Sequence, residues 1–89
     1  MPREPSEAET LQIIRERTRQ ARMAMGWDVE TMAKALGVTT EAYKKYETRK
    51  SSVIPTKKIR KFCILTGIDA NWLMGYDVTR VRKIIDRAG

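Results

Sequence analysis

A chain of 89 residues has room for one domain with a modest core, and its 18 lysines and arginines against 11 acids leave a formal charge of +7. An excess of that size asks for an anionic partner, nucleic acid or an acidic surface. Histidine is absent and Cys63 is the single cysteine, which excludes an internal disulfide, a histidine-dependent triad and a Cys/His zinc site.

No apolar run approaches the length of a membrane span and no secretory leader core is visible, so a cytoplasmic protein without membrane contact is expected. There is no Gly-rich phosphate loop, metal-ligand cluster or nucleophile–base pair. The expectation is a non-enzyme with no cofactor, no metal and no small-molecule substrate. Cys63 falls in an apolar helical stripe, where cysteine packs rather than reacts.

Taken in order, residues 1–5 carry two prolines and little to bury, and read as a flexible arm. Ser6 followed by Glu9 makes a capping box that opens a long helix. Leu11, Ile14, Thr18, Ala21 and Met25 share its inner arc, and Gly26 ends it. Arg15, Arg17 and Arg19 point away from that arc. Arg22 sits at its edge, where an arginine needs a carboxylate partner.

Asp28 caps a second helix with Val29, Met32, Ala33 and Leu36 on its inner face, and Gly37 stops it. Val38 tucks inward and Thr39 caps a third helix, Thr40 to about Thr48. Tyr43 and Tyr46 face in, with Ala42 beside them; Glu41, Lys44, Lys45 and Thr48 face out. Glu47 lies near the buried edge and is the natural partner for Arg22. Two short amphipathic helices meeting at a glycine, with small Ala33 where they approach, satisfy the steric demands of a helix-turn-helix. Such a pair leaves the outer face of its second helix free to enter a DNA major groove.

Arg49 to Pro55 reads as a polar, basic loop. A fourth helix starts at Pro55 or Thr56, with Ile59, Phe62, Cys63 and Thr66 on one face, and ends at Gly67. Asp69 caps a fifth, Ala70 to Met74, anchored by Trp72 and Leu73 and stopped by Gly75. Asp77 opens a sixth, whose stripe of Val78, Val81, Ile85 and Ala88 closes the core or meets a second copy. Charge is unevenly spread. From Lys44 to Lys61 there are eight basic residues against one acid, whereas before residue 31 there are five basic and six acidic.

The segments R-x-x-x-G (Arg22 to Gly26), M-A-x-x-L-G-V (Met32 to Val38), Glu47 closing the third helix and I-D-A-N-W-L-M-G (Ile68 to Gly75) together resemble the lambda-repressor-like, Cro/CI-type (XRE) helix-turn-helix domains. The resemblance spans roughly Thr10 to Gly75. It implies an all-α, five-helix bundle, here with a short sixth helix, and a sequence-specific transcriptional regulator, a phage-type or prophage-type repressor binding double-stranded DNA as a homodimer.

By position, the resemblance implies base reading by Thr40, Glu41 and Lys45, with Lys44 beside them, and an ion pair between Arg22 and Glu47. Phosphate contacts fall to Val29, Thr39, Thr48, Arg49, Lys50, Ser51, Lys57 and Lys58. The chemistry agrees: lysine donates to guanine O6/N7 or to phosphate, and Glu41 can accept from cytosine N4. Backbone N–H groups opening the second helix suit a phosphate.

Three residues depart from the family pattern. Val29 replaces a favoured glutamine, Asp28 is acidic where phosphate lies close, and Tyr43 replaces a smaller aliphatic residue. The packing around Tyr43 therefore either makes room or leaves its hydroxyl at the edge. The domain organisation expected is an arm (1–5), a DNA-binding domain (6–76) and a C-terminal helix (77–89). The same fold also serves in antitoxins and protein-interaction adaptors, in which case the last helix carries the partner.

Overall fold

The computed structural model describes residues 6–76. The expected N-terminal arm and sixth helix lie outside the described residues. Within them the chain is all-helical, five helices in the order α1 (Glu7–Ala24), α2 (Val29–Leu36), α3 (Thr40–Thr48), α4 (Thr56–Thr66) and α5 (Ala70–Leu73).

Local chemistry sets most of these boundaries. Ser6 Oγ accepts from the Glu9 N–H at 3.2 Å, and its hydroxyl donates to the Glu9 carboxylate at 3.2 Å. Asp28 and Thr39 accept from the N–H groups of Thr31 and Ala42 at 2.8 and 3.0 Å. Asp69 accepts from Asn71 N–H at 2.7 Å. Each bond satisfies one of the donors that a helix leaves free in its first turn. Gly37, at φ +75°, takes the left-handed conformation that ends α2 and turns the chain into α3.

The core is Ile14 and Ala21 of α1, Met32, Ala33 and Leu36 of α2, Tyr43 of α3, Ile54, Phe62 of α4 and Leu73 of α5. Buried Thr18 stays in the stripe because its hydroxyl donates to the Ile14 carbonyl at 2.7 Å. α2 packs on α3 and α4, α1 on α3 and α5, and α4 on α5. α3 is thus held from behind by α1 and α2, and its other side is left to solvent.

Several expectations need correction. α1 ends at Ala24, so Met25 is its C-cap and is 37% exposed rather than part of the inner arc. α5 ends at Leu73, with Met74 as the cap. The loop after α3 is not purely polar: Ile54 is 2% exposed and joins the core, with Val53 packed against it. Arg15 and Arg17 do not simply face water. Arg15 Nη1 donates to the Lys50 carbonyl at 2.8 Å. Arg17 donates to the Trp72 carbonyl, and its guanidinium lies 5.0 Å from the Trp72 ring centre.

Candidate nucleic-acid interface

α3 carries the candidate surface. Its inner side is Tyr43, fully buried, and half-buried Tyr46, whose rings meet edge-to-face at 5.8 Å. With that side fixed, helical periodicity turns Glu41, Lys44, Lys45 and Thr48 outward, and all four are exposed. Thr40, in the first turn, is half-buried. Thr48 spends its hydroxyl proton on the Lys44 carbonyl at 2.7 Å, leaving the oxygen to accept.

The orientation of α3 is set by an ion pair at its last turn. Arg22 Nε donates to Glu47 at 2.8 Å and Nη2 donates to the other carboxylate oxygen at 3.0 Å. Nη1 donates to the Trp27 carbonyl at 2.7 Å. Only 13% of the Arg22 side chain and 5% of the Glu47 side chain reach solvent. A bidentate pair this sheltered has a defined direction as well as charge, and it ties α1, the α1–α2 corner and α3 together. The Glu47 hydrogen bonds hold Arg22 more firmly protonated, against the opposing effect of burial.

Tyr43 lies beside this pair. The packing makes room for the whole ring, hydroxyl included, and the Oη finds no hydrogen-bond partner among the described residues. Burial first, and the neighbouring Glu47 carboxylate after it, push the phenol's pKa up, while Arg22 opposes them.

Beyond α3, Arg49, Lys50 and Ser51 are exposed, and the segment is pinned by Arg15 at Lys50 and by the buried Ile54 side chain. α4 opens without a side-chain cap bond and without an acid in its first turn, which instead contains Lys57 and Lys58. Lys57 is exposed. Lys58 is half-buried, and its Nζ donates to the Leu36 carbonyl at 3.1 Å, a bond that sequence reasoning missed.

At the start of α2, the half-buried Val29 side chain packs against the core and offers no polar group of its own. Asp28 already occupies the Thr31 N–H. Hydrogen bonding from Thr31, side chain first and N–H second, holds the Asp28 carboxyl below the usual carboxylate range. A phosphate approaching α2 therefore meets a charged cap.

On the α4–α5 side, Thr56, Ile59, Arg60, Cys63, Ile64, Ile68 and Ala70 line an open, largely apolar concavity of about 680 Å³. Cys63 lies in its wall, and burial, then Asp69, push the thiol's pKa up, away from the reactive thiolate. Among the described residues no three or more His, Cys, Asp or Glu gather as metal ligands, and no helix is long and apolar enough to cross a membrane.

Two short helices packed across a left-handed glycine, the second presenting a basic outer face, define a helix-turn-helix protein. Residues 19–73, more than half of the chain, match the family model of the helix-turn-helix proteins (HTH_3). The chain belongs to that family, the Cro/CI-type or XRE domains with the lambda-repressor-like fold, and is a DNA-binding transcriptional regulator of that type. No curated protein and no solved structure gives a significant match to it.

Proposed function

We propose that this regulator is a sequence-specific repressor of the phage or prophage type, acting in the cytoplasm as a homodimer that places α3 in the major groove. The observation that carries this reading is the outer face of α3. Lys44 and Lys45 are exposed on a helix whose opposite side packs on the core through Tyr43 and Tyr46, so their charge is free for a partner. Lys44, Lys45, Thr40 and Glu41 read base edges. Thr39, Thr48, Arg49, Lys50, Ser51 and Lys57 grip phosphate, with the Val29 N–H at the start of α2. A dimer doubles the contact set and calls for a two-fold operator.

The test is selection of random duplexes by the purified protein at near-physiological salt. A palindromic motif is expected, with affinity falling steeply as salt rises because lysine–phosphate contacts release counterions. The Lys44→Ala/Lys45→Ala double variant should keep its helical circular dichroism and lose the selected sequence. Weak, sequence-blind retention that survives the double substitution would overturn the proposal.

A further inference from the structure

α4 opens against helix electrostatics. Two lysines occupy the positive end of its dipole, with no acid and no side-chain cap to offset them. Lys57 remains exposed, but Lys58 is half-buried and reaches back to the Leu36 carbonyl at 3.1 Å. Leu36 is the last residue of α2, the negative end of that helix's dipole. The α2 terminus already has its own closure: the Gly37 N–H turns to the Ala33 and Lys34 carbonyls, and the Val38 N–H to Ala33 at 3.0 Å. That motif leaves the Leu36 carbonyl over, and among the described residues no main-chain N–H reaches it. The Lys58 ammonium supplies the missing donor.

The carbonyl it holds lies immediately before Gly37, and the turn from Gly37 to Thr39 launches α3. We propose that Lys58 is a positioning residue for α3. It fastens the end of α2 and the turn to α4, and it does not act as a phosphate contact. The proposal rests on the DNA-binding reading above and deepens it. α3 is then held at both ends. Lys58 fixes its approach. Glu47, paired with Arg22, fixes its last turn, and Arg15 fixes the following segment at Lys50. An exposed lysine adds charge to an interface, whereas one tied to a carbonyl sets where another helix points.

The distinction is measurable. Affinities of the full chain for the selected duplex and for a scrambled duplex are followed across a salt series for Lys58→Met and Lys57→Ala. Lys58→Met should weaken binding to the selected duplex roughly tenfold, the scale of one lost hydrogen bond to a charged group. Binding to the scrambled duplex and its salt slope should stay unchanged. Lys57→Ala should weaken both duplexes alike and flatten the slope by about 0.9, the signature of one lost phosphate contact. If Lys58→Met behaves as Lys57→Ala is expected to, the proposal is wrong. Lys58→Gln, which keeps a donor without the charge, decides the same question through its slope should the methionine variant not fold.

If the wild type retains no duplex, the DNA-binding reading fails by itself, and amide hydrogen exchange in the free protein still tests Lys58. Val38, Ala42 and Tyr43, whose N–H groups close the turn and the first turn of α3, should exchange faster in Lys58→Met than in Lys57→Ala. Equal exchange in the two variants would overturn the positioning role.

Discussion

At Tyr43 the protein keeps a hydroxyl where none is used. The ring is fully buried in the core, and its Oη has no hydrogen-bond partner among the described residues. A buried hydroxyl without a partner forfeits its hydration and gains nothing in exchange. Tyr43→Phe should therefore leave stability at neutral pH unchanged or raise it by up to about 1 kcal/mol, read by urea denaturation. A loss of more than about 1 kcal/mol would show that the hydroxyl has a partner after all. The pH dependence has a definite sign. Burial pushes the phenol's pKa above its ordinary value near 10. Below that value the native and unfolded phenols are both protonated and nothing is lost. As pH rises past it, the unfolded chain ionises while the native one resists, and stability falls. The wild type should lose stability above pH 10 relative to Tyr43→Phe, and the difference between the two isolates this phenol from the titrating lysines.

The helix-turn-helix element depends on one backbone conformation. Gly37 sits at φ +75°, and a Cβ built there would meet nothing within 4 Å. The requirement is conformational, not steric crowding. Gly37→Ala should cost about 1–2 kcal/mol, the penalty of the left-handed region for an ordinary side chain. Gly37→Asn should cost less, because asparagine visits that region more readily. Thermal melts of the two variants separate the explanations: equal losses would point to crowding. Gly75 is different. It has φ +86°, and its added Cβ would stand 3.0 Å from Ile13 Cγ2, so α5 approaches α1 closely there as well as turning. Gly37 is thus required for its conformation alone, Gly75 for its conformation and for the close approach.

For the molecule as a whole, the ion pair between α1 and α3 is the strongest candidate for a shared pin. Arg22 touches Glu47 and the Trp27 carbonyl at once, and both side chains are nearly excluded from solvent. Glu47→Ala leaves a sheltered guanidinium without its carboxylate and should cost about 3 kcal/mol, the low end for such pairs because Arg22 keeps some solvent. Replacing both partners, Arg22→Met with Glu47→Leu, should recover much of that loss, since no charge is then left unpaired. If the double variant is as unstable as the single one in urea denaturation, the pair matters for more than compensation of charge. Arg17, stacked on Trp72 and bonded to its carbonyl, plays the corresponding part for α5.

The sequence by itself determined the five described helices and the side-chain caps that open four of them. Ser6, Asp28, Thr39 and Asp69 act on N–H groups two or three residues away, and Gly37 acts on its own φ, so their signals are local. Helical periodicity placed Tyr43 and Tyr46 inward and Lys44 and Lys45 outward. It also set Arg22 and Glu47 at the buried edges of two different helices. Tertiary structure alone decided what the remaining cations do. Arg15, Arg17 and Lys58 look like solvated positions on a helical wheel, yet each donates to a main-chain carbonyl 35, 55 or 22 residues distant. Ile54, in a stretch that reads as a polar loop, is likewise placed in the core by the packing of the helices around it. A carbonyl oxygen belongs to every residue alike, so no residue type marks which one a distant arginine or lysine will find. Packing of the five helices brings those carbonyls within reach, and it does so only once the whole domain has formed.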